Sequence, residues 1–179
     1  MKKIAFLALT FSIFQVNAQT FTLKSNHLGG QFENTQFFNN FGCSGENKSP
    51  QLFWENPPKE TKSFAVTMYD EDAPTGSGWW HWLIFDINKS INELKINAGN
   101  INDTIAPKNS IQSINDFGFT GYGGVCPPNS DKAHKYIITV YALKTEKLSL
   151  PDTANPALVG FYLNQNVIEK ASLIIYAKR

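Results

Sequence analysis

Four stretches carry the strongest hydrophobic pattern in this chain: SFAVTMYD (63–70), WWHWLIFDI (79–87), HKYIITVYAL (134–143) and ASLIIYAK (171–178). They are rich in β-branched and aromatic residues and bounded by Pro, Gly, Asn and Asp, which predicts β-strands. FTLKS (21–25) and PQLFWEN (50–56) are weaker strand signals. Only about 155–170 predicts a helix: Leu158, Val159, Tyr162, Leu163 and Val167 recur at helical spacing after Asn155-Pro156, a pair suited to an N-cap and first turn. The expected fold is mostly β, two packed sheets with few helices. Residues 88–133 are dense in Asn, Gly, Pro and Ser, and an irregular connection of that length in a compact domain is either functional or holds elements that the pattern does not reveal.

The first eighteen residues follow a different pattern. Lys2 and Lys3 precede an apolar run from Ile4 to Phe14 and a small-residue ending, Val16-Asn17-Ala18. That order predicts a secretory signal peptide over 1–18, cleaved after Ala18, and one domain over 19–179. The run is too short to span a bilayer comfortably, and no later segment is long and apolar enough, so no stable membrane insertion is expected. Without Lys2 and Lys3 the chain has 14 basic and 15 acidic residues and no basic stripe, which argues against nucleic acid as a partner. Both cysteines, Cys43 and Cys126, lie in the exported part. An oxidising compartment favours a disulfide between them; two buried free thiols are the alternative, and metal-type CxxC spacing is absent.

Strand periodicity indicates where the chemically capable residues point. In 63–70, Phe64, Val66, Met68 and Asp70 share a face; in 79–87, His81 is expected to share one with Leu83, Phe85 and Ile87. In 134–143, His134 and Tyr136 head a row continued by Ile138, Val140 and Ala142. Each apolar row begins or ends in a polar residue, which puts these residues at the rim of the core. If 63–70 and 79–87 pair antiparallel, Asp70 and His81 meet at one sheet end, where His134 can join them. Apolar walls with a few convergent polar groups make a ligand pocket. Taken singly, each residue has a plainer explanation: core histidines, turn-forming Asp70 and Asp72 before Pro74, and tryptophans that only pack. GYGGVCPP lacks the lysine and helix of a P-loop.

Together, "YDEDAPTGSGWWHWLIFDI" and "GYGGVCPPNSDKAHKYIITVYAL" resemble the two signature regions of the phosphatidylethanolamine-binding protein family, the Raf kinase inhibitor-like proteins. "GCSGENKSPQLFW", "NDFGFTGYGG" and "LVGFY" make the bacterial branch the closer likeness. The resemblance implies a β-sandwich with short peripheral helices and a pocket for small anions or the phosphate end of phospholipid-like ligands. Matched by motif, that pocket would use Asp70, Asp72, Pro74, His81, Pro128, His134 and Tyr136. Cys43 and Cys126 would flank it, their disulfide fixing its rim. Glu71 and Val125 stand where proline is usual in the family and in its bacterial branch; the first is expected to weaken an anion site and the second to loosen the loop.

These readings converge on an exported, periplasmic or secreted, binding protein for a small anionic or phosphorylated ligand, acting through protein partners and, by the resemblance, as a homodimer. No cofactor is implied. A carboxylate near His81 or His134 is expected to favour imidazolium, which donates to phosphate oxygens. The kinase-inhibitor label transfers poorly to an exported chain. A hydrolase or a metal site built from the same His/Asp cluster is the alternative, although no GxSxG or HExxH motif is present.

Overall fold

The computed structural model describes residues 19–179; the expected signal peptide lies outside the described residues. Eight strands and one helix follow in the order β1 (Thr22–Lys24), β2 (Leu52–Glu55), β3 (Ser63–Asp70), β4 (Trp79–Asn88), β5 (Glu93–Leu94), β6 (Ile111–Gln112), β7 (His134–Leu143), α1 (Pro156–Asn166) and β8 (Val167–Ala177). They form an antiparallel five-stranded sheet, β6-β4-β3-β7-β8, and a three-stranded sheet, β1-β2-β5.

The near-continuous apolar character of β3 has a direct cause, since this central strand is covered on both faces. On one side Phe64, Val66 and Met68 pack with Trp82, Ile138 and Val140 against Leu52, Trp54 and Leu94 of the small sheet. On the other, Ala65 joins Leu83, Phe85 and Leu143 beneath Val159 and Leu163 of the helix. The result is three layers, sheet on sheet on helix. Each large side chain fully removed from water favours the fold by roughly 1.5–3 kcal/mol.

β4 departs from simple alternation at two places. Met68 faces Trp82 while Tyr69 faces Trp80, so His81 is an extra residue in a bulge; a second shift separates Val66↔Ile84 from Phe64↔Ile87. The expected row His81, Leu83, Phe85, Ile87 is therefore broken. Leu83 and Phe85 face the helix, whereas Trp82, Ile84 and Ile87 face the small sheet. A bulge re-aims the side chain it carries, and here it turns His81 to the side occupied by Tyr136, whose ring lies 5.2 Å away.

The helix is shorter than its pattern predicts. Asn155 caps it, Oδ1 accepting the Leu158 amide at 2.9 Å, and Pro156 occupies the first turn. Val167, expected to be helical, is extended and opens β8. Pairing with β7, in which Val167 faces Leu143 and Lys170 faces Tyr141, wins over local periodicity. The irregular region between β4 and β7 holds β5, β6 and an isolated bridge between Ile114 and Thr120. Asn97 and Asn109 turn the chain there with positive φ, a conformation asparagine tolerates.

Candidate functional site

The end of β3 and the starts of β4 and β7 meet at one edge of the large sheet, where Asp70 faces Trp79 on one side and Tyr136 on the other. Asp70 is buried. Its Oδ1 accepts the Asp72 amide at 3.0 Å, and its Oδ2 lies 2.8 Å from His134 Nδ1. His134 Nε2 is 3.2 Å from Asp131 Oδ2. Burial pushes the His134 pKa down, but hydrogen bonds to Asp70 and Asp131 outweigh it and the net direction is up. The two carboxylates therefore favour the imidazolium form of His134, clasped between them. Two expectations change: it is buried, not at the rim, and neither ring N–H is free to donate to a ligand.

His81 behaves in the opposite way. Its Nδ1 donates to the Gly123 carbonyl at 2.7 Å, and the Gly123 amide donates back to the His81 carbonyl at 2.9 Å. Phe117 and Tyr136 present their rings to the imidazole, each with its centroid 5.2 Å away. Burial lowers the His81 pKa against the pull of Gly123 and Asp70, so the ring is neutral and the expected imidazolium is not what this site favours. The Gly124 backbone also lies against the ring and pulls its pKa up, and Nε2 makes no hydrogen bond of good geometry among the described residues. The glycines of GYGG permit this close fit. A Cβ on Gly123 would stand 2.5 Å from the Phe117 ring, and one on Gly124 would stand 2.5 Å from the Phe38 amide.

These side chains enclose a cavity of about 190 Å³. Of the seven residues expected in the pocket, Asp70, Pro74, His81, Pro128, His134 and Tyr136 line it, and Asp72 does not. Asp72 instead ties two segments together, its Oδ2 accepting the Lys135 amide and its Oδ1 holding Lys132 Nζ, each at 2.8 Å. The Lys132 hydrogen bond leads in lowering its pKa. Two further polar atoms stand out on the cavity wall residues: Trp79 Nε1 is buried with no hydrogen-bond partner among the described residues, and the Tyr136 hydroxyl is buried beside the Asp70 carboxylate without a hydrogen bond of good geometry. Burial, then the nearby Asp70 carboxylate, pushes the Tyr136 pKa far up, so the phenol stays protonated.

Phe41, Trp79 and Phe117 complete the apolar wall; the two phenylalanines were not among the expected site residues. Phe41 lies far away in sequence. Its one signal was proximity to Cys43. The Cys43–Cys126 disulfide forms, with Cα atoms 6.0 Å apart, and Cys126 itself lines the cavity. Arg179 reinforces that rim, donating from Nε to the Pro127 carbonyl and from Nη1 to the Gly42 carbonyl, both at 2.8 Å.

The two departures noted in the sequence act differently from expectation. Glu71 pairs with Lys135 and does not line the cavity, so its charge is offset. Val125 is buried and bridges to the strand-like segment at Phe37: its amide donates to the Gln36 carbonyl at 3.2 Å, and its carbonyl accepts the Phe38 amide at 2.9 Å. Proline has no amide to give. Valine therefore fastens this loop.

Residues 27–178 match the family model described as phosphatidylethanolamine-binding protein. The chain belongs to the phosphatidylethanolamine-binding protein family. Within it, YbcL of Escherichia coli (strain K12) is 46% identical over 167 residues, covering 92% of this chain and 91% of that one. YbhB of the same organism is 40% identical over 153 residues, covering 84% and 96%. The crystal structure of E. coli YbcL, described as a member of the mammalian PEBP family, superposes with a TM-score of 0.86 at 45% identity, covering 89% of this chain and 98% of that one. A Chlamydia trachomatis homologue of phosphatidylethanolamine-binding proteins, at 24% identity and a TM-score of 0.73, shows the fold alone; it covers 89% of this chain and 97% of that one. The expected mostly-β fold of this family is therefore the fold of this chain.

Proposed function

We propose that this phosphatidylethanolamine-binding protein family member is an exported binding protein whose cavity takes a small oxyanion of phosphate type. One observation carries the proposal: Trp79 Nε1–H and Tyr136 O–H are buried donors that make no hydrogen bond of good geometry, on residues that wall one cavity. Buried polar groups are almost always paired; these two are closed to solvent in the free protein, and a ligand oxygen that displaces the wall would complete them. The carboxylates nearby are largely offset: Asp72 holds Lys132, Glu71 holds Lys135, and Asp70 and Asp131 share the single His134, which leaves one net negative charge at that cluster.

Export is supported by the disulfide, which persists in oxidising compartments, and by the leader-like sequence of residues 1–18. Binding is favoured over hydrolysis because no cysteine or threonine of the wall is free to act as a nucleophile. Both cysteines are tied in the disulfide, and the Thr75 hydroxyl donates to the Gly78 carbonyl. Among the described residues, no three His, Cys, Asp or Glu side chains group as metal ligands, so nothing favours the metal alternative.

Calorimetric titration with phenyl phosphate tests the proposal, the aryl ring being matched to the Phe41, Trp79 and Phe117 wall. Saturable one-to-one binding, abolished by Trp79→Ala in a folded variant, is the expected result. No heat of binding at millimolar probe would refute it.

A further inference from the structure

We infer that the cavity selects oxyacid groups that still carry a proton, with His81 Nε2 accepting a hydrogen bond from the ligand's own O–H. The inference rests on the oxyanion pocket proposed above and goes further by naming the protonation state the ligand must have.

The tautomer follows from geometry. A carbonyl oxygen only accepts, so the 2.7 Å contact with Gly123 places a hydrogen on Nδ1 of His81. A second hydrogen on Nε2 would make the ring cationic, and the ring is 3% exposed between Phe117 and Tyr136. Charged and titratable groups face it from three elements. Asp70 of β3 and Asp116, in the loop after β6, favour the cation. The Tyr136 phenol of β7 is neutral. Burial prevails, and the His81 pKa lies below its ordinary value. Nε2 is therefore a lone pair that no donor among the described residues meets with good hydrogen-bond geometry.

Once the wall gives way enough to uncover the Trp79 N–H and the Tyr136 O–H, both closed to solvent in the free protein, it offers two donors and one acceptor. A phosphomonoester monoanion presents the complement, two unprotonated oxygens for Trp79 and Tyr136 and one O–H for His81. A fully ionised phosphate or a sulfate ester turns an oxygen lone pair toward the Nε2 lone pair. No cation offsets that repulsion, because no lysine or arginine lines the cavity and both N–H groups of His134 are committed to carboxylates. A site built around a ligand hydroxyl rejects an analogue that lacks it more strongly than an apolar site rejects a change of size.

The proton balance is explicit. A phosphomonoester loses its second proton near about pH 6. Above that pH the dianion predominates, and each ligand bound must bring one proton from solvent, which stays on the ligand oxygen and is shared with Nε2.

Phenyl phosphate and phenyl sulfate provide the test, since at about pH 5.5 both are chiefly monoanions of similar shape and differ by that one proton. Calorimetry at this pH should show phenyl phosphate binding at least about tenfold more tightly. At pH 7.5, titration in two buffers of different ionisation enthalpy should count close to one proton taken up per phenyl phosphate. His81→Gln, which can donate as well as accept, should bring the two affinities within about threefold. Equal affinity in the wild type, or no proton uptake at pH 7.5, overturns the inference while leaving the oxyanion pocket standing. Failure of both probes to bind overturns the pocket itself. Should His81→Gln not fold, the wild-type pair and the proton count decide the matter.

Discussion

His134 Nδ1 stands 2.8 Å from Asp70 Oδ2, and the two side chains are only 2% and 4% exposed. Few contacts in the molecule join groups so far removed from water and so opposite in charge. The pair fastens the first residue of β7 to the last residue of β3, the two strand ends that frame the cavity.

Removing one partner should be costly. His134→Ala leaves the Asp70 carboxylate buried without its cation, and breaking a buried ion pair in this way costs about 3–5 kcal/mol. Urea unfolding should show a loss of that order, and the Asp70→Ala, His134→Ala double variant should lose less than the two single variants added together. A His134→Ala protein as stable as wild type would contradict the ion pair.

The two histidines should give the stability a maximum in pH. His134 has a raised folded pKa, so its contribution is complete below about 6.5, the unfolded value, and is lost as pH rises through the folded one. His81 has a lowered folded pKa, so its contribution is complete above about 6.5 and is lost as pH falls toward the folded one. The unfolding free energy should therefore peak close to about pH 6.5. Urea curves at pH 5.0, 6.5 and 8.0 check this, and a stability that only rises or only falls across the series would be inconsistent with the two assignments.

Tyr136→Phe should separate function from stability. Its hydroxyl makes no hydrogen bond of good geometry and has the Asp70 carboxylate near it, so deletion should change the unfolding free energy by less than about 1 kcal/mol. Affinity for phenyl phosphate should nevertheless fall by roughly three- to tenfold, the worth of one neutral hydrogen bond. Calorimetry and urea unfolding on the same preparation read both quantities. An unaltered affinity would remove this hydroxyl from the site.

The disulfide spans 83 residues, which in the chain-entropy model stabilises the fold by about 4–5 kcal/mol. Thiol titration of the denatured, unreduced protein should find no free thiol, and reductant should lower the urea midpoint accordingly. Detection of two thiols before reduction would show that the bond does not form in solution.

The sequence carried the strand ends well, and the reason is physical. Asp70, His134 and Tyr136 each close an alternating apolar row, and alternation survives in any strand packed on a core. His81 was found by the same pattern but assigned the wrong companions, because a bulge inserts one residue and local periodicity cannot reveal where a partner strand skips. Val167 followed helical spacing until pairing with β7 drew it into a strand. The protonation states were not legible at all. They depend on Asp131 and Gly123, which reach the two imidazoles through loops whose course no periodicity describes. Phe41 was likewise hidden, since the disulfide that brings its neighbour Cys43 to Cys126 acts across 83 residues.

Nuclear magnetic resonance of the indole N–H groups tests the central claim most directly, because each of the four tryptophans gives its own signal. Trp82 Nε1 already donates to Gln112 at 2.6 Å, and Trp54 is buried in the core away from the cavity wall, so both should stay in place during titration with phenyl phosphate. The Trp79 N–H, which has no acceptor in the free protein, should move downfield and saturate as a ligand oxygen takes its hydrogen bond. A Trp79 signal that does not move while the probe binds would place the ligand elsewhere and contradict this site.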